Sequence, residues 1–275
     1  MPNLKFVVLT DFSPLAKVAL QYAAKMAAKM QADITILNTV RVDGVPKSNL
    51  RWKQIEKEIL AAAEDEGKKL VDELSGKSGN AIYFKALRAH TVAEMVKKYT
   101  DKNKPDLVIM GSQGASQLKK ARLGGTTVSV IDSVKAPVLA IPKFAEFKSF
   151  KHVVYATDLR NIAKELELLI PFLKGFGSHL HVVHVVTAID KKVELLRTLA
   201  EEAIQQTNYP HIDFKLVIDD NVPDAIDKHI KHVNAELLTT FTHELNLYEK
   251  LFGLSVTRRL AYQGNIPLLA FKRKA

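Results

Sequence analysis

No cysteine occurs anywhere in the 275 residues, so disulfides, thiolate nucleophiles and cysteine-ligated zinc or iron–sulfur centres are excluded. The absence sits easily with a reducing compartment. Long apolar runs are missing too: no stretch approaches the roughly 18 residues that a membrane-spanning helix needs. The N-terminal "MPNLKFVVLTDFSP" meets an aspartate too early to form the core of a secretory signal. These absences predict a cytoplasmic protein with no membrane partner. Acidic residues are in the minority, 30 Asp and Glu against 40 Lys and Arg, for a formal charge of +10. Such an excess attracts anionic ligands at long range. The lysines are spread along amphipathic segments such as "KKYTDKNK" and "IDKHIKH" rather than gathered with aromatics, so they read as a solvated face and not as a nucleic-acid groove. A complete Walker-type GxxxxGK[ST] loop is also absent.

What is present is written twice. "FVVLTDFSP" near the start resembles "HVVYATDLR", and "APVLAIPK" resembles "IPLLAFKR" at the end. An offset of 130 carries Phe84 onto Phe214, Lys85 onto Lys215, Val92 onto Val222, Thr127 onto Thr257 and Pro137 onto Pro267 without a gap. At the front the offset is 147, from Asp11 to Asp158, so the first half holds 17 additional residues. They enlarge a helix whose spacing predicts one face made of Trp52, Ile55, Ile59, Ala62, Ala63, Leu70 and Leu74. The boundary falls in "FAEFKSFK", which gives domains 1–146 and 147–275.

Each half reads as aliphatic strands alternating with amphipathic helices: "LKFVVLT", "DITILNTV", "NAIYFKAL", "DLVIM" and "APVLAIP" in the first. That alternation predicts a doubly wound parallel α/β sheet covered on both faces. Ligands of such sheets bind beyond the carboxyl ends of the strands, where strand order reverses. Two segments reach that edge in the first half. In "LTDFSP", Ser13 and Pro14 are helix-start signals, which puts Asp11 in the turn between strand and helix. In "MGSQGASQLKKARLGGTT", four glycines follow a strand and precede a helix, flanked by Lys119, Lys120 and Arg122. Bare backbone amides ahead of a helix N-terminus suit a phosphate, although glycines in this position also make plain turns.

Gly111, Gly114 and Gly124 at this spacing, followed by a small residue, together with "LTDFS", resemble the universal stress protein family. The resemblance covers nearly the whole chain as two tandem domains. It implies two five-stranded, doubly wound, Rossmann-like domains of the adenine nucleotide alpha hydrolase-like kind. It also implies pairing through the last strands, here as an internal pseudo-dimer through "APVLAIPK" and "IPLLAFKR", with homodimerisation of the chain a further possibility. The implied role is nucleotide-dependent regulation in a stress response, read by a protein partner, with ATP and Mg²⁺ as ligands. Carried over by position, Thr10 and Asp11 meet the nucleoside and Thr39 or Val40 lies by the base. Met110, Gly111, Gly114, Gly124, Gly125, Thr126 and Thr127 surround the ribose and phosphates. Where the family has Ser or Thr after the third glycine this chain has Gly125, with Thr126 or Thr127 as substitute hydroxyl, and Thr39 makes the base side more polar.

In the second half Gly111 becomes Phe241, Gly114 becomes Glu244 and Gly124 becomes Leu254; Ser255 stands opposite Gly125, and Gly253 stands one place early. A carboxylate and side chains replace bare backbone, so the first domain is expected to bind nucleotide and the second not. No catalytic residue is assigned, and no base is evident beside the glycine loop, so any hydrolysis of ATP would be slow. A slow ATPase and a scaffold that has lost nucleotide from both domains are the rival readings. His179 and His181 share one face of a strand, as a metal pair would, but no third ligand is evident in the sequence and no metal site is assigned. His243 and Glu244 lack the nucleophile that an acid–base pair would serve.

Overall fold

The computed structural model describes residues 3–41, 50–78, 80–112, 124–242 and 266–273. They form two compact units that divide between Phe147 and Lys148. The first contains β1 (Leu4–Thr10), α1 (Pro14–Met30), β2 (Ala32–Arg41), α2 (Leu50–Ser78), β3 (Ile82–Ala89), α3 (Val92–Asn103), β4 (Leu107–Gly111), α4 (Gly125–Ser133) and β5 (Val138–Ile141). Its strands lie in the order β3-β2-β1-β4-β5, all parallel. The second contains β6 (His152–Ala156), α5 (Ile162–Lys174), β7 (His179–Val186), α6 (Lys191–Gln206), β8 (Ile212–Ile218), α7 (Val222–His232), β9 (Leu237–Thr242) and β10 (Leu268–Lys272). The order β8-β7-β6-β9-β10 repeats that of the first unit, again all parallel. The duplicated sequence is a duplicated doubly wound fold.

The central strands are buried on both faces, as crossovers on both sides of a parallel sheet require; Phe6, Val7, Val8 and Leu9 are all buried in β1. α1 lies against them through Ala16, Ala19, Ala23 and Ala27, small side chains that admit close approach. Helix starts follow local chemistry. Ser13 Oγ accepts the Ala16 N–H at 3.2 Å ahead of Pro14, and Thr91 caps α3 with Glu94 in the first turn, satisfying amides that have no intrahelical partner.

α2 corrects one expectation. Ala63, Leu70 and Leu74 are buried, but Ile59 and Ala62 are exposed, and the side chain of Trp52 lies outside the described residues. A helix of 29 residues is about 43 Å long, whereas the 8 residues of β3 span about 26 Å. Its N-terminal part overhangs the strand it covers, so the apolar stripe is buried only where sheet lies beneath. Gly67 sits at the closest approach: a Cβ there would stand 2.2 Å from the Phe84 ring.

Candidate functional site

Strand order reverses between β1 and β4, and Thr10, Asp11, Met110 and Gly111 lie at the carboxyl ends of those two strands. Thr10 is buried and its Oγ1 accepts the Phe12 N–H at 3.0 Å, while Asp11 Oδ1 accepts the Ser13 N–H at 3.0 Å. These bonds hold Phe12 at φ 61°, a left-handed conformation that costs a bulky residue about 1–2 kcal/mol. Both side chains therefore order the turn, and Asp11 remains exposed at the edge of the sheet. Asn38, on the neighbouring strand, donates from Nδ2 to the Thr10 carbonyl at 2.9 Å. One and two residues further along β2, Thr39 is half-buried and Val40 buried.

Met110 is buried at the end of β4. The Ser112 N–H donates to the Ile141 carbonyl at 2.8 Å and the Gly124 N–H to the Ser112 carbonyl at 2.7 Å, joining the two ends of the glycine segment. Gly114, Lys119, Lys120 and Arg122 lie outside the described residues. α4 starts at Gly125 with Gly124 as its N-cap, and no side chain among the described residues caps it. A Cβ added at Gly125 meets nothing within 4 Å among the described residues. Of the two threonines that could replace the family hydroxyl, Thr127 is buried and donates from Oγ1 to the carbonyls of Gly111 at 3.1 Å and Ser112 at 3.3 Å. Its proton is committed to the loop. Thr126 is exposed.

The second unit builds the same turn and fills it differently. Thr157 Oγ1 accepts the Leu159 N–H at 3.0 Å, Asp158 Oδ1 accepts the Arg160 N–H at 3.2 Å, and Leu159 has φ 63°. His184 Nδ1 lies 2.8 Å from the Thr157 carbonyl, in the role of Asn38. Phe241, which replaces Gly111, is buried; its ring stacks on Phe271 at 4.7 Å and meets Tyr155 edge-on at 5.6 Å. His243, Glu244, Gly253, Leu254 and Ser255 lie outside the described residues.

A family model described as "Universal stress protein family" matches residues 3–142. The chain belongs to that family. Universal stress protein MJ0531 of Methanocaldococcus jannaschii is 29% identical over 142 residues, covering 50% of this chain and 82% of the relative. Universal stress protein YxiE of Bacillus subtilis is 27% identical over 150 residues, covering 50% of this chain and 97% of the relative. The crystal structure of a universal stress protein from Archaeoglobus fulgidus aligns over 98% of both chains, with a TM-score of 0.72 and 21% identity, a likeness of fold. Among the described residues, no helix is long and apolar enough to cross a membrane.

Within this family frame, the carboxyl edge of the second unit holds an ionic network that sequence reasoning missed. Arg273, the residue after β10, places Nη1 at 2.9 Å from Asp158 Oδ2 and bonds Asp158 Oδ1 through Nη2. Its Nε bonds Glu165 Oε1, and the Tyr155 hydroxyl donates to Glu165 Oε2. Arg273 and Glu165 are almost wholly buried. Burial works against the charged guanidinium, yet the hydrogen bonds and charges of Asp158 and Glu165 raise the Arg273 pKa above its ordinary value. Asp158 is held below the usual carboxylate range, because the Arg273 bonds outweigh the opposing effect of burial. The Tyr155 phenol is pushed up, first by burial and then by the Glu165 charge. One signal was legible: Glu165 interrupts the apolar face that Ile162, Leu166, Leu169 and Leu173 form on α5. An acid in such a stripe asks for a buried partner.

Proposed function

We propose that the first unit binds an adenine nucleotide, ATP accompanied by Mg²⁺, and that the second unit does not. The observation that carries this reading is the contrast between two equivalent aspartates: Asp11 is exposed, in a unit whose glycine-led α4 has no side-chain cap among the described residues, whereas Asp158 is clamped by Arg273. Oriented amides at a helix N-terminus favour an anion, and among the described residues no side chain caps this one and nothing stands within 4 Å of a Cβ at Gly125. Asp11 would accept from the nucleoside, Val40 and Thr39 would flank the base, and Gly124, Gly125 and Thr126 would face the phosphates. Mg²⁺ would accompany the triphosphate, since hard cations choose oxygen ligands. In the second unit, the Phe241 ring and the committed carboxylate of Asp158 take up the corresponding positions.

The biochemical role is regulatory: ATP occupancy of the first unit alters a surface read by a protein partner. Hydrolysis, if it occurs, is slow. The decisive experiment is a count of adenine nucleotide released on heat denaturation of freshly purified chain, followed by calorimetric titration of the stripped protein with ATP. The expected stoichiometry is one per chain. Two equivalents would refute the asymmetry, and none would refute the nucleotide reading.

A further inference from the structure

Six of the nine histidines, His152, His179, His181, His211, His229 and His232, neighbour one another ring to ring in the second unit. Their centre is at the amino ends of β6 and β7, opposite the carboxyl edge that carries Asp158. The register places His152 beside His179 and His181 beside Asp213. Because alternate residues of a strand share a face, His179 and His181 point the same way, and their rings stack at 4.6 Å. One carboxylate oxygen serves both: Asp213 Oδ2 lies 2.7 Å from His179 Nε2 and 2.8 Å from His181 Nδ1. The third ligand that the sequence did not reveal is thus supplied by the next strand.

We propose that His179, His181 and Asp213 form a binding site for a late first-row divalent cation, with Zn²⁺ the best fit. The three donor atoms all lie within 4.8 Å of one another. A tetrahedral zinc centre with bonds of about 2.0 Å sets its ligand atoms about 3.3 Å apart, so small side-chain rotations open the present cluster to that spacing. Two imidazoles and one carboxylate in a chain without cysteine select Zn²⁺, Co²⁺, Ni²⁺ or Cu²⁺ over Mg²⁺ or Ca²⁺. His179 and Asp213 are 40% and 47% exposed, which leaves an entry path and a fourth coordination position for water.

Outer partners are in place. His181 Nε2 lies 3.1 Å from His152 Nδ1. For His181 Nδ1 to offer its lone pair to a metal, its ring proton must sit on Nε2, where His152 accepts it. That contact fixes the tautomer and the ring orientation, as hydrogen bonds to metal-ligating histidines generally do. On the helix side, His229 is buried with its ring 5.9 Å from that of His181, and its Nε2 has no partner among the described residues. The metal would tie β7 to β8 across their amino ends.

The test uses the full chain, stripped with chelator and then titrated with Zn²⁺ in competition with a chromophoric chelator and, separately, with Co²⁺. Binding of one Zn²⁺ per chain, visible absorption bands of tetrahedral Co²⁺ and a rise in Tm with added Zn²⁺ are expected. His179→Gln and Asp213→Asn each weaken Zn²⁺ binding at least tenfold. His152→Phe weakens it by about 10- to 100-fold, the range of an outer-shell partner, and His90→Gln in the first unit leaves it unchanged. Both ligand substitutions replace half-exposed side chains, and circular dichroism verifies that the variants fold. Absence of tetrahedral Co²⁺ bands in the wild-type chain overturns the site, as does Zn²⁺ affinity unaltered by His179→Gln and Asp213→Asn.

Discussion

The guanidinium of Arg273 holds the carboxylate of Asp158 through both terminal nitrogens across 115 residues of chain, with Nη1 at 2.9 Å from Oδ2. The repeat offset of 130 brings Lys143 of the first unit to the position of Arg273, where it is exposed and lies over the Phe144 ring at 5.2 Å. The difference between a buried clamp and a solvated lysine separates the carboxyl edges of the two units of a duplicated fold.

Arg273→Ala should destabilise the chain by about 3–5 kcal/mol, because it leaves Glu165 as an uncompensated charge in the interior. The double change Arg273→Met with Glu165→Met should recover most of that loss, since an apolar pair of similar volume removes both charges together. Urea unfolding of the three proteins measures it. A double variant no more stable than Arg273→Ala would show that the network is not a coupled unit.

Acid should loosen the second unit through Asp158. A carboxyl whose pKa is lowered by folding contributes stability above its unfolded value, about 3.9, and loses it as pH falls towards the folded value. Asp213 is also lowered, by the hydrogen bonds of His181 and His179 acting against burial. Stability of the wild type should therefore fall as pH drops from about 5 to below 3.9, and Asp158→Asn should make that fall shallower. Unfolding free energies measured at a series of pH values would reveal parallel curves if Asp158 is not linked.

Gly125 offers a gain and a loss at one position. Gly125→Ser restores the hydroxyl that the family resemblance implies where nothing among the described residues stands within 4 Å of the Cβ, and one added hydrogen bond of about 0.5–1.5 kcal/mol corresponds to roughly 2- to 10-fold tighter ATP binding. Gly125→Glu should leave the fold intact, since a carboxylate suits a helix N-terminus, while repelling phosphate and weakening ATP at least tenfold. Titration calorimetry on both variants reads the two directions; equal affinities would remove the phosphates from this helix start.

Gly67→Ala places a methyl against the Phe84 ring and should cost about 1–3 kcal/mol by overpacking, despite alanine's better helix propensity. Thermal unfolding measures the change, and a raised Tm would mean that the ring moves aside freely.

Much of this architecture is local in origin and so was legible. The alternation of aliphatic strands with amphipathic helices predicted the doubly wound sheets. Ser13 with Pro14 predicted the start of α1 and put Asp11 in the turn before it; the repeated Thr-Asp pair proves to lie in a repeated turn. The buried part of α2 was less legible, because periodicity locates an apolar face but not the strand beneath it; hence Ile59 is exposed while Leu70 is buried. Thr126 and Thr127 could not be told apart by their order in the chain. The direction of each side chain from α4 separated them.

The sequence by itself determined the duplication, the order of elements and the turn that presents Asp11, since caps, turns and periodicity act over a few residues. Only the tertiary structure decided that Asp158 is clamped and that His179, His181 and Asp213 share one point. Those meetings depend on strand register and on side chains reaching across neighbouring strands. Such contacts join residues as far apart as Asp158 and Arg273, and no local preference of the chain specifies them.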